Sequence, residues 1–172
     1  KDEKVVLYRL CRHRFINWNA AFLINLHPEH IEAHGSFENY RDAKLAFLKY
    51  AAKGGAEVFI NRDDKNAEFF LGALAGVKVV AYSKRELSTS YASTPEFLDT
   101  EFNKDNLAAA VTLAKHLDIS EDTIARAISK FKSVPGRMEF VQREPFAVVV
   151  DYAHTPDSLE LVYQAVEKSK LQ

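Results

Sequence analysis

Four stretches gather side chains able to hold a metal, a phosphate or a proton. The first, His27-Pro28-Glu29-His30-Ile31-Glu32-Ala33-His34-Gly35, has three imidazoles and two carboxylates within nine positions. A zinc-protease pattern needs Glu directly after the first His on a helix. Here Glu32 follows His30 by two positions, and Pro28 and Gly35 bracket the segment as a loop. One imidazole with carboxylates suits a hard cation such as nucleotide-bound Mg²⁺ better, and a plain polar loop is the competing reading. The second is Lys44, on or beside the helical side that carries Tyr40 and Phe47. Such a lysine either snorkels to solvent or, partly buried, becomes a neutral amine able to react with CO₂. The third is Pro135-Gly136-Arg137-Met138-Glu139, whose tight turn presents an arginine suited to bidentate phosphate contact. The fourth is Asp151-Tyr152-Ala153-His154-Thr155-Pro156, which follows an apolar strand and opens a helix. Its polar residues sit beside free helix N–H groups, where they either bind a ligand or merely cap.

The elements that must position these residues alternate. Strands are predicted at Val5–Leu7, Ala20–Ile24, Val58–Ile60, Val77–Tyr82 and Phe146–Val150. A helix is expected over 37–53, with Ser36 as N-cap and Gly54-Gly55 as its stop. Further helices are expected over 67–74 and 107–117. Another is capped by Ser120, with Ile124, Ala127, Ile128 and Phe131 inward. The last is capped by Thr155, with Pro156 first and Leu159, Val162 and Val166 inward. The order β-α-β-α-β, α-α, β-α predicts an α/β fold with a parallel layer over 20–135 and ligands at the carboxyl ends of its strands. A composition shift over 135–144 suggests a boundary, giving domains 1–139 and 140–172.

Composition narrows the classes. The 172 residues are 47% apolar and 27% charged, as in ordinary globular chains. With net charge -1 there is no global field to attract nucleic acid or an anionic membrane, so neither is expected as a partner. No run reaches the ~18 apolar residues of a membrane span. Cys11 is the lone cysteine, which excludes an internal disulfide and a multi-cysteine zinc site. Neither G-x-x-x-x-G-K-[ST] nor G-x-G-x-x-G occurs.

Taken in order, these segments resemble one family. Residues 27–44, Glu101-Phe102-Asn103-Lys104-Asp105-Asn106, Val134–Glu139 and Asp151–Glu160 are similar to motifs of the Mur ligases. The last two resemble most the branch that adds the third residue of the peptidoglycan stem peptide. Folylpolyglutamate synthases share Pro-Gly-Arg and Asp-x-Ala-His, but usually carry Gly and Asn where Tyr152 and Thr155 stand. A non-catalytic α/β nucleotide-binding module is the other alternative.

The resemblance implies a partial parallel-sheet central domain followed by the first βα unit of a Rossmann-like domain. It also implies an enzyme that uses ATP and Mg²⁺ to join UDP-N-acetylmuramoyl-peptide and an amino acid through an acyl phosphate. His30 matches the metal-binding histidine, and Lys44 the lysine that is carbamylated to hold Mg²⁺. Asn103 and Asn106 match positions near the nucleotide base, Arg137 a phosphate-binding arginine and Asp151 a ribose-binding acid, with His154 beside them. Arg12 falls at about the spacing of a substrate-binding arginine, with Arg14 as competitor. Departures are Glu29 and Glu32 for aspartates, and Asp99-Thr100-Glu101 where Gly is usual. A cytoplasmic monomer is expected. Without the family's P-loop, this chain by itself is expected to be nearly inert.

Overall fold

The structure, a computed structural model, describes residues 15–28, 34–88, 91, 98 and 100–168. The predicted strand Val5–Leu7 and the residues Arg12, Arg14 and His30 lie outside them. The chain divides into two compact units, 1–86 and 87–172. The expected domain boundary at 139/140 lies within the second unit, just after the first residue of the strand Glu139–Gln142.

The first unit is a parallel βαβαβ sheet. Strand β1 (Ala20–Leu23) pairs in parallel with β2 (Glu57–Asn61), and β2 with β3 (Val79–Tyr82), in the order β1-β2-β3. Helix α1 (Phe37–Lys53) crosses from β1 to β2, and α2 (Ala67–Ala73) from β2 to β3. β2 is central, and Val58, Phe59 and Ile60 are wholly buried, as expected of a strand covered on both faces. The alternation of the pleat sorts the side chains. Val58 and Ile60 join Ala21 and Leu23 in one core with Leu48 and Ala51 of α1 and Phe70 of α2. Both crossover helices bury into that side, which follows from consecutive strands joined by crossovers of one hand. On the other side the Phe22 and Phe59 rings stack at 4.3 Å, with Tyr82 edge-on to Phe22.

The ends of α1 follow local chemistry. The Ser36 hydroxyl accepts the Asn39 N–H at 3.2 Å, and Gly55 at φ +95° turns the chain back toward β2. Strand β3 begins at Val79 rather than Val77.

The second unit packs α3 (Glu101–His116) and α4 (Glu121–Lys130) through Leu107, Val111, Ile124 and Ile128. Helix α3 starts six residues before the expected Leu107, so Asn103 and Asn106 lie inside it. Ala127 and Phe131 were expected inward but are exposed; α4 ends at Lys130, and Phe131 is already extended. A larger departure concerns the strand expected over 146–150. It is Val148–Val150 (β5), and it pairs antiparallel with β4 (Glu139–Gln142), which the sequence reading missed. Phe146 lies outside the strand and is exposed. Helix α5 (Pro156–Lys168) closes the unit, with Val162 and Val166 against the cluster that contains Leu107 and Met138.

Candidate functional site

In the first unit, polar residues collect at the carboxyl ends of the strands. Asn61 ends β2, and its side-chain amide donates to the Ile24 carbonyl just past β1 at 3.0 Å. Asp64 accepts the Leu26 N–H at 2.8 Å, and Asn66 donates to the Leu26 carbonyl at 3.2 Å. Asp63 turns the other way and accepts the Ser83 hydroxyl at 2.7 Å and the Lys84 N–H at 2.9 Å beyond β3. Two adjacent aspartates thus tie the loops after all three strands. Residues 61–64 were not singled out from the sequence. The signal was available: a polar cluster after an apolar strand, the same placement that singled out Asp151.

The residues around Lys44 form a short stack. The His34 ring meets Tyr40 edge-to-face at 4.8 Å, and the Lys44 ammonium nitrogen lies 5.2 Å from the Tyr40 ring centre. Tyr40 and Lys44, four residues apart, share one side of α1, and His34, two residues before the Ser36 cap, meets Tyr40 from the preceding loop. The His34 carbonyl accepts the Asn39 side-chain amide at 2.9 Å, fixing the approach to the helix. Burial of Lys44 pushes its pKa below the ordinary lysine range, because desolvation penalises the ammonium. Among the described residues no group of three or more His, Cys, Asp or Glu could hold a metal ion.

In the second unit a tight arrangement surrounds Arg137. Pro135-Gly136 makes the expected turn, with Gly136 at φ +68° and the Arg137 N–H bonded to the Val134 carbonyl at 3.0 Å. Register places Glu139 opposite Val150, so the turn and Asp151 lie at the same end of the β4–β5 ribbon. Asp151 accepts the Met138 N–H at 2.8 Å and the Ala153 N–H at 2.7 Å. The Arg137 guanidinium carbon lies 4.9 Å from the centre of the Tyr152 ring, and that ring meets His154 edge-to-face at 4.8 Å. His154 Nδ1 is 2.8 Å from the Tyr152 carbonyl. A carbonyl only accepts, so Nδ1 carries a proton and donates it to this bond. Thr155 and Ser158 cap α5 reciprocally: the Thr155 N–H donates to Ser158 Oγ at 3.0 Å, and the Ser158 N–H to Thr155 Oγ1 at 3.3 Å.

The structure therefore brings Arg137, Asp151 and His154 together. Met138, next to Arg137, is buried in one apolar cluster with Leu107 and Val111, so the turn and helix α3 share a core. Asn103 is buried on α3 and Asn106, three positions on, is exposed. An arginine and a helix N-terminus at one ribbon end suit an anionic ligand.

A parallel βαβαβ sheet with its loops tied at the carboxyl edge, and a separate unit carrying an arginine turn beside a helix start, define an α/β protein. Residues 6–121 match the Mur ligase middle domain. The chain belongs to the Mur ligase family. It is 38% identical over 167 residues to a protein of a Nostoc species named UDP-N-acetylmuramoyl-L-alanyl-D-glutamate--2,6-diaminopimelate ligase, with 82% of this chain and 33% of the relative covered. The Aquifex aeolicus protein of the same name is 32% identical over 181 residues, covering 94% of this chain and 36% of its own. The chain thus spans about a third of the length of these curated relatives. A solved MurF structure from Acinetobacter baumannii shares the fold, with TM-score 0.74 over 91% of this chain and 39% of that one at 16% identity.

Among the described residues no helix is long and apolar enough to cross a membrane.

Proposed function

We propose that this chain is part of an ATP-dependent amide-forming ligase of peptidoglycan synthesis. The reaction adds the third amino acid to UDP-N-acetylmuramoyl-L-Ala-D-Glu in the cytoplasm. The observation that carries this reading is the extent of the 38% match, which covers 82% of the chain and cannot fit within residues 6–121. The likeness therefore runs on past the middle domain. The relatives' name makes 2,6-diaminopimelate the first amino acid to test. Residues 1–139 are read as part of the central ATP-binding domain and 140–172 as the start of the next.

In this reaction a substrate carboxylate takes the γ-phosphoryl group of ATP, releasing ADP. The incoming amine then attacks the acyl carbon, and phosphate leaves as the amide forms. The cationic groups that meet the crowded phosphates do most of the work. Arg137 suits that task because, among the described residues, its guanidinium has no carboxylate partner. Asp151 keeps acceptor capacity beyond its two backbone bonds, enough for a ribose hydroxyl. His154, Asn103 and Asn106 complete the proposed nucleotide contacts, and Arg12 is assigned to the UDP-peptide.

Mg²⁺, when bound, neutralises phosphate charge and polarises the transferring group. His30 and a carbamylated Lys44 are the residues assigned to it. The Lys44 environment fits: burial favours the neutral amine, which adds to CO₂ with loss of one proton to give an anionic carbamate. Carbon-13 NMR with labelled bicarbonate tests this. A carbamate resonance that vanishes in Lys44→Arg is expected, and its absence in the parent chain would remove the assignment.

Calorimetric titration with Mg-ATP tests the nucleotide site. Weak binding that Arg137→Ala lowers further is expected. Micromolar binding indifferent to Arg137→Ala would place the site elsewhere.

A further inference from the structure

The turn that carries Arg137 is held with unusual completeness, and two residues with no role so far do much of the holding. Three successive N–H groups are all accepted: Gly136 by Glu139 Oε2 at 2.7 Å, Arg137 by the Val134 carbonyl at 3.0 Å, and Met138 by Asp151 Oδ2 at 2.8 Å. Gly136 at φ +68° and Met138 at φ +45° are both left-handed, a conformation that Met138 reaches only at some cost. Glu139 is able to reach back because it opens β4, where pairing with Val150 fixes its backbone. One oxygen of its carboxylate bonds the turn rather than the guanidinium, and so does one oxygen of Asp151.

The side chain is held differently. Arg137 is exposed, and a long exposed side chain loses rotamer entropy when it is fixed. Here the Tyr152 ring lies 4.9 Å from the guanidinium carbon, and the His154 ring backs Tyr152 at 4.8 Å. A ring face attracts the cation without neutralising it or consuming its N–H donors. A carboxylate in the same place would compete with any incoming anion.

We propose that Glu139 and Tyr152 are positioning residues for Arg137: Glu139 fixes the backbone of its turn, and Tyr152 holds its guanidinium in place, unpaired, for a phosphate. This rests on the reading of Arg137 as the phosphate-binding arginine. The geometric part stands on the ligand-free chain and is tested there.

Two measurements on the full 172-residue chain separate the two questions. The first is NMR without ligand. The Arg137 Nε–H proton should be shielded by the ring, should lose that shielding in Tyr152→Ala, and should keep it in Tyr152→Phe. The Gly136 amide should exchange faster in Glu139→Ala and recover in Glu139→Gln, which retains an acceptor oxygen. The second is titration with Mg-ATP and with adenosine. Tyr152→Ala and Glu139→Ala should each lose roughly three- to tenfold in affinity for Mg-ATP and little for adenosine, with the Phe and Gln variants near the parent. Unchanged Arg137 and Gly136 resonances in both alanine variants would overturn the positioning roles. Altered resonances, with a parent chain that does not prefer Mg-ATP over adenosine, would instead overturn the phosphate reading and leave the positioning intact.

Discussion

Asp64 Oδ2 accepts the backbone N–H of Leu26 at 2.8 Å, joining the loops after β2 and β1 across 38 positions of sequence. Leu26 is almost wholly buried, so its N–H has little access to water if that bond is lost. Asp64 Oδ1 also accepts the Asn66 N–H at 2.7 Å. Asp64→Ala is expected to destabilise the chain by about 1–3 kcal/mol, the range for stranding a buried donor. Asp64→Asn keeps one acceptor oxygen and should cost less. Urea unfolding with unchanged slope measures both, and an alanine variant as stable as the parent would contradict the tie.

Lys44 gives a pH dependence of known sign. Its folded pKa is lowered by burial from the ordinary 10.5, which the unfolded chain retains. Between the lowered value and 10.5 the unfolded state binds more protons, so stability rises with pH across that window. Below the window both states are protonated and the cost of burying the cation is fully present. Lys44→Met should therefore be more stable than the parent at neutral pH in CO₂-free buffer, with a flatter rise on the alkaline side. Thermal midpoints against pH decide it; parallel curves would mean that the amine is not desolvated.

Two glycines should respond to alanine with opposite sign. Neither Gly136 nor Gly72 has a heavy atom within 4 Å of an added Cβ, so backbone conformation alone decides. Gly136 sits at φ +68°, where a side chain costs about 1–2 kcal/mol. Gly72 lies inside α2, where alanine should add about 0.5–1 kcal/mol of stability. Chemical denaturation of the two variants is the check, and a common sign would refute the conformational explanation.

The reciprocal cap of α5 should appear as coupling. Thr155→Ala is expected to cost about 1 kcal/mol, and Ser158→Ala less. Because their hydroxyls lie 2.8 Å apart, the double variant should lose less than the sum of the two. Strict additivity in a double-mutant cycle would show that the two act independently.

Helix α1 was legible from sequence to the residue, from its Ser36 cap to its glycine stop, because both ends are set by local chemistry. The core of β2 was legible for a related reason: a strand buried on both faces is apolar along its buried run, here Val58-Phe59-Ile60. The start of α3 was not, since Glu101–Asn106 is polar and carries no apolar periodicity before Leu107.

The residue types of the candidate site were set by the sequence alone: Lys44 on a helix side, Arg137 on a turn, and Asp151 and His154 between a strand end and a helix start. Their arrangement was decided by the tertiary structure. β4 has only four residues, and its antiparallel partner lies beyond a loop, so no local pattern announced that Glu139 would face Val150. That pairing brings Asp151 to the turn and Tyr152 to Arg137. In the first unit, likewise, Asn61, Asp63 and Asp64 became a brace only once three parallel strands placed Ile24, Leu26 and Ser83 within hydrogen-bonding reach. Side-chain identity and local caps are properties of neighbouring residues. Contacts across 38 positions depend on which strands pair and in what register, and that is settled by the collective burial of the apolar faces.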